Sequence, residues 1–248
     1  MSAVILALAA GAVIGLALGA LGGGGSVLAV PALIYLLGSS PVVATTASLV
    51  IVTITSVTAL VAHAREGHVR WRTGLLFAAA GIVPATLGGA LAAHVPAAVL
   101  TAAFAVVAGA AAVRMMRSRR AGEGAVAVRP GRAAAAGAGL GAVTGVLGVG
   151  GGFLAVPALV GVLGMRMRNA VATSLMVITV NSLAALATRA DTVEGLDWAV
   201  VGPFVGAAIL GAWDGKKLSA KISGHTLQRI FALVLLAVAA FMLADAAV

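Results

Sequence analysis

Two clusters of glycine are the residues in this chain best suited to hold a ligand. Gly22, Gly23, Gly24 and Gly25 are consecutive, while Gly148, Gly150, Gly151 and Gly152 form a second cluster interrupted by Val149. Each runs into a short apolar arm containing a proline, Pro31 in the first and Pro157 in the second. Consecutive glycines inside an apolar segment break a helix. Broken backbone at membrane depth is tolerated only where it is buried or lines a wet cavity. A helix restarting after the break, at Ser26 or at Phe153, presents free N–H groups and a partial positive charge of roughly half a unit. Such a place can hold an oxyanion. The glycines would let backbone touch the oxygens, and the prolines would stiffen the arms.

Hydroxyl groups follow both clusters in the same register. Ser48 and Thr55 lie two turns apart on one helical face, Ser174 and Asn181 occupy the equivalent places, and Ser56 and Ser182 sit one residue further round. Hydroxyls in membrane helices commonly bond only their own backbone or a neighbour, but a set repeated in register suits a shared site.

Acids are missing from the same region. The seven acidic residues, Glu66, Glu123, Asp191, Glu194, Asp197, Asp214 and Asp245, fall in expected loops or at helix ends. No core carboxylate is available as a proton relay or cation site, so a metal or cation carrier is not expected. Cysteine is absent, which removes thiolate chemistry and disulfides. A phosphate-binding loop would need Gly-Lys-Ser/Thr, whereas Val27 follows Gly25 and Ser26. A membrane serine protease would want Gly-x-Ser-Gly and a mid-helix histidine; Gly152 replaces Ser26 in the second cluster, and His63, His68, His94 and His225 sit near helix ends. These histidines read as interfacial or capping groups. No enzyme, cofactor or metal is expected.

The elements that must position these residues are membrane helices. Of 248 positions 62% are hydrophobic and 9% charged, with a mean hydropathy of +1.15; a soluble domain would carry about 25% charged residues. Apolar runs long enough to approach a crossing of about 20 residues occupy roughly 3–21, 41–62, 73–93, 97–116, 133–147, 167–188, 198–213 and 226–244, with shorter arms at 26–37 and 153–163. The formal charge of +9 resides mostly in short connections, which sets orientation and does not suggest nucleic acid. No Lys or Arg precedes the first apolar run, so a cleaved signal peptide is not expected.

The chain is duplicated. Residues 15–33 (GLALGALGGGGSVLAVPAL) and 141–159 (GAVTGVLGVGGGFLAVPAL) match at 12 of 19 positions at an offset of 126. Trp71 pairs with Trp198, Leu100 with Leu227 and Phe104 with Phe231 at an offset of 127. Gly11, Gly15 and Gly19, mirrored by Gly137, Gly141 and Gly145, form small-residue ladders that let another helix approach closely. The division is therefore 1–116, a basic linker at 117–132, and 133–248.

Loop charge chooses between two topologies. The 35 residues 3–37 are either one broken crossing or a hairpin that dips in and returns. With the basic linker cytoplasmic, counting back two helices places Arg65, Arg70 and Arg72 inside, and counting forward a hairpin at 133–163 places Arg166, Arg168, Lys216, Lys217 and Lys221 inside as well. A single crossing in the second copy would invert its loops. Each repeat then holds a hairpin plus three crossings, an odd number, so the repeats are inverted and both termini lie outside. Inverted repeats with broken helices are a recurrent transporter design. The stretch Asp214, Lys216, Lys217, which has no counterpart in the first repeat, is read as a cytoplasmic loop and an entry point for anions.

The glycine clusters running into Val-Pro-x-Leu (Gly22–Leu33, Gly148–Leu159), the following Ala-x-x-x-Ser-Leu (Ala44–Leu49, Ala170–Leu175), and the repetition of both resemble the sulfite exporter family TauE/SafE. That resemblance implies export of sulfite or an organosulfonate such as sulfoacetate through a bacterial inner membrane. The interrupted second cluster departs from the first, so the half-sites need not be equivalent. The expectation is an all-α integral membrane protein of two inverted repeats, binding a small anion near the midplane and exporting it down the membrane voltage, which supplies about 2.3 kcal/mol per charge per 100 mV. Its expected partners are that anion, the bilayer and a second copy in a homodimer. A channel, a carrier of another oxyanion or carboxylate, and a non-transporting membrane assembly partner remain alternatives.

Overall fold

The computed structural model describes residues 2–92, 96–117, 129–147, 152–187, 193 and 195–246. Among them every regular element is helical. In the first half these are α1 (Ser2–Leu21), a tight turn at Gly22–Gly25, α2 (Ser26–Pro31) widening into a π-helical stretch over Ala32–Leu36, α3 (Pro41–Ala64), α4 (Trp71–Ala92) and α5 (Ala97–Arg117). In the second they are α6 (Pro130–Leu147), α7 (Gly152–Gly161), α8 (Met167–Ala187), α9 (Trp198–Lys221) and α10 (Gly224–Ala246). Among the described residues five helical stretches, Val4–Leu21, Val43–Ala64, Met167–Ala187, Trp198–Lys221 and Gly224–Phe241, are long and apolar enough to cross a membrane. The outer surface is apolar too, with Val83, Leu87, Val106 and Leu210 largely exposed on three different helices. Such a surface belongs against lipid. The protein is a multi-pass, all-helical membrane protein.

The two halves fold alike in local detail. After α2 the chain stops at Gly38 (φ +64°), whose N–H donates to the Ile34 carbonyl while Ser39 donates to Leu33. After α7 it stops at Gly164 (φ +66°), whose N–H donates to Val160 while Met165 donates to Leu159. Each partner is displaced by 126 positions. A left-handed glycine closes a helix without the penalty a Cβ would impose, so both arms end in the same glycine stop.

Neither half closes its own core. A large buried cluster joins α1, α2 and α3 to Val201 and Phe204 of α9, and a second large one joins α6, α7 and α8 to Phe77 and Ala78 of α4, with α5 and α10 completing it. The glycine ladders make the exchange close. A Cβ built on Gly11, Gly15 or Gly19 would stand 2.4, 2.0 or 2.1 Å from the carbonyl oxygens of Phe204, Ala208 and Ala212. Gly137 and Gly141 meet Phe77 and Gly81 in the same way. Because the numbers rise together, α1 runs parallel to α9 and α6 runs parallel to α4. By contrast α3 and α8 run antiparallel, with Ser56 beside Thr179, Ala59 buried with Leu175, and Arg70 reaching Thr173.

One expectation is corrected. Asp214, Lys216 and Lys217 are not a loop: α9 continues unbroken to Lys221. The helix outlasts its apolar run because its polar end is paired, Lys217 Nζ with Asp214 Oδ1 at 3.0 Å and Lys216 with Glu66. At the other end of α9 the Asp197 side chain accepts the Ala199 N–H and caps the helix.

Candidate functional site

The site assembles where α1 breaks. Gly22 takes φ +65°, and a Cβ there would stand 2.6 Å from Ser174 Oγ. Backbone conformation and space both demand glycine. In an unbroken helix the Gly23 N–H would pair with the Gly19 carbonyl. Here each has a side-chain partner: Gly23 N–H donates to Ser174 Oγ at 3.2 Å, and His63 Nε2 donates to the Gly19 carbonyl at 3.2 Å. Ser174 in turn donates to the Val171 carbonyl at 2.8 Å. Gly24 and Gly25 complete the turn, and the Ser26 hydroxyl closes back on the Gly23 carbonyl at 2.7 Å.

The start of α7 meets this turn directly. A Cβ on Gly23 would lie 1.9 Å from the Gly152 carbonyl oxygen, and one on Gly152 would lie 2.8 Å from Ser26 Oγ. Ile178 of α8 flanks both glycines. Gly22, Gly23, Ser26, Gly152 and Ser174 therefore form one group drawn from both halves. Gly148, Gly150 and Gly151 lie outside the described residues.

The other expected residues divide. Ser56 reaches Thr179 Oγ1 at 2.9 Å across the α3–α8 contact, one residue along from Ile178. Ser48 turns back to the Thr45 carbonyl at 2.8 Å, and Thr55 to Ile51 at 2.6 Å, both within α3. On α8, Ser182 is buried and Asn181 half-buried. Pro31 and Pro157 both lie inside their arm helices, and the wider π-helical stretch begins directly after Pro31. Thr53 and Thr179, which share the offset of 126, are missing from the expected set. Their signal is their place one turn before Ser56 and Ser182.

His63 is the other residue whose role the sequence hides. It lies near a helix end, as expected, yet it is buried and caps the carbonyl of another helix. Beyond it Glu66 accepts from Lys216 and stands 3.4 Å from His68 Nδ1, with Arg168 lining the same small pocket. The hydrogen bond from Lys216 holds the Glu66 carboxyl below its ordinary value of 4.5, with burial opposing and the Lys216 and His68 charges adding. His63, Glu66 and His68 bring ligand atoms within 4.8 Å of one another. The Lys216 ammonium and the Gly19 carbonyl already engage two of the three, so the group is better suited to charge pairing than to a metal.

Among the described residues the glycine group offers backbone amides and hydroxyls, with no acid, base or thiol. In this conformation the Gly23 N–H and the hydroxyl protons of Ser26 and Ser174 are all bonded to protein acceptors. The sulfite exporter TauE/SafE family model matches residues 7–242, nearly the whole chain. The chain belongs to the sulfite exporter TauE/SafE family. A probable membrane transporter protein of Xylella fastidiosa strain Temecula1 is 34% identical over 255 residues, covering 98% of this chain and 96% of that one. Its namesake in strain 9a5c is 34% identical over 251 residues with the same coverage. No solved structure matches. As a member of a family of membrane transporters, the protein is a transporter and not an enzyme.

Proposed function

We infer that this transporter exports a small sulfur-containing anion, sulfite or an organosulfonate such as sulfoacetate, across a bacterial inner membrane, binding it where the two glycine loops meet. The observation that carries the reading is the junction of Gly23 with Gly152, one backbone break from each half, pinned by Ser174 and Ser26. Backbone amides and hydroxyls suit an oxyanion, and the family description supplies the sulfur.

The halves act as inverted repeats. Support comes from the helix directions: α1 with α9 and α4 with α6 run parallel, α3 with α8 antiparallel. Inversion puts one glycine loop on either side of the midplane. In the conformation described Gly23 lies against Gly152 at the start of α7, so an anion enters only when the two part. Withdrawal of the two loops in turn would expose the site to one face and then the other.

Efflux of sulfite and sulfoacetate from proteoliposomes tests this, with a potassium-gradient voltage and no pH gradient. Saturable, voltage-driven efflux of either anion supports an electrogenic exporter. Absence of flux of both from vesicles holding folded protein rejects the substrate class. Flux of another oxyanion in that assay would reassign the substrate to it.

A further inference from the structure

The two halves differ at one contact that their duplication makes equivalent. In the first half Tyr35, at the end of the arm, packs edge-on against Phe241 of α10, with ring centroids 5.7 Å apart. At the offsets of 126 and 127 the corresponding residues are Gly161 and Arg114. There a Cβ on Gly161 would lie 3.8 Å from Arg114 Nε. Exchanging two aromatic rings for a glycine and an arginine leaves a groove of about 560 Å³ between α5, α6 and α7. That volume lies within the ~300–1,000 Å³ typical of ligand pockets.

The geometry points to a site for one anionic phospholipid, with an acyl chain in the groove and its phosphate on Arg114. The walls are apolar, including Leu140, Val143, Leu154 and Pro157, and Arg114 is the charged side chain among the lining residues. Val143 and Val162 are exposed at its edge, on the apolar surface that faces lipid. An occupant therefore enters from the bilayer. At the mouth, Arg132 is fixed by its bond to the Val162 carbonyl at 3.1 Å, and Arg117 follows one turn after Arg114. Two guanidinium groups, Arg114 in the groove and Arg132 at its edge, match a chain with a negative head. Lodged beside Pro157, the lipid supports the second arm as Tyr35 and Phe241 support the first. The site is separate from the glycine loops and does not depend on which anion is carried.

Native mass spectrometry of the purified full chain tests the site, with dioleoylphosphatidylglycerol and dioleoylphosphatidylcholine offered at equal concentration. One phosphatidylglycerol should remain bound in preference to phosphatidylcholine. Arg114→Gln should lower its retention about fivefold, the effect of one basic residue at a lipid surface, and Arg114→Lys should restore most of it. Gly161→Tyr and Val143→Trp, which fill the groove from α7 and α6, should each abolish it. If one of them fails to fold, the other decides. Equal retention of the two lipids overturns the proposal, as does phosphatidylglycerol binding unchanged in a folded groove-filling variant. A dimer that these variants disrupt, with no lipid retained by the wild type, would assign the groove to a second copy instead.

Discussion

Ser174 of the second half accepts the N–H of Gly23 in the first, 151 positions away, at 3.2 Å. Ser48 occupies the equivalent position in the first half, but its hydroxyl bonds the Thr45 carbonyl of its own helix. Among the described residues, the same residue type at the same register holds a loop in one half and bonds its own helix in the other. Ser174→Ala should strand a buried amide and cost about 1–3 kcal/mol, whereas Ser48→Ala should cost much less. Unfolding in mixed detergent micelles measures both, and equal costs would show that the Ser174 bond does not hold the loop.

Gly23 should be the least replaceable residue for transport. In Gly23→Ala the new methyl would face the Gly152 carbonyl oxygen 1.9 Å away, with Ile178 at 3.0 Å behind it. A backbone oxygen cannot rotate aside as a side chain can, so the first loop and the start of α7 must part. Efflux from proteoliposomes should fall to the level of empty vesicles while the protein still inserts. Near-normal flux would take this junction out of the transport cycle.

The ladders carry a stability prediction that is independent of substrate. Gly15→Ala places a methyl 2.0 Å from the Ala208 carbonyl oxygen and forces α1 away from α9. It should cost about 1–3 kcal/mol or more, as overpacking does. Gly206 lies in α9, and a methyl group added there would meet nothing within 4 Å. Gly206→Ala should therefore gain the ~0.5–1 kcal/mol that alanine offers over glycine in a helix. Opposite signs in one unfolding assay are the expected result.

What is legible in the sequence is whatever repeats or recurs locally. The glycine clusters, the proline arms and the hydroxyl register all follow from identities at an offset of 126. What escapes it depends on contacts between distant segments. Nothing near His63 indicates that it caps Gly19, because the need for a cap arises only once α1 breaks and α3 lies beside it. Lys216 reads as a loop residue for the same reason: charge after an apolar run signals a helix end unless a partner such as Glu66 is waiting. Arg114 and Gly161 are unremarkable until Tyr35 and Phe241 show what the equivalent place can hold.

Ser56 and Thr179 should be coupled. Their hydroxyls lie 2.9 Å apart, and Thr179 donates to the Leu175 carbonyl at 2.8 Å. Ser56 is then the donor between them, sharing its proton with the more distant Thr53 carbonyl at 3.1 Å. A double-mutant cycle with Ser56→Ala and Thr179→Val should return about 0.6 kcal/mol, with ~1.7 as a ceiling for bonds between membrane helices. A coupling of zero would mean that the two helices are held by packing alone.

The Glu66–Lys216 pair makes a small, pH-dependent contribution at the acid end of the stability profile. Glu66 accepts from Lys216, and this bond is the main cause of its lowered pKa. A carboxyl whose folded pKa lies below its unfolded value contributes stability that is fully present above the unfolded value, here 4.5. That contribution is lost as the pH falls through the folded value. The Glu66 side chain is 41% exposed, so the pair should contribute less than about 1 kcal/mol. His63 and His68 also face Glu66, so the comparison belongs in a His63→Gln, His68→Asn background, which leaves Lys216 as the charged partner of Glu66. The melting-temperature difference between that protein and its Glu66→Gln derivative should be flat from about pH 7 to about 5 and shrink below 4.5, and Lys216→Met should give the same curve. A difference that widened on acidification would mean that Glu66 is held more strongly as the neutral acid, and that Lys216 is not its effective partner.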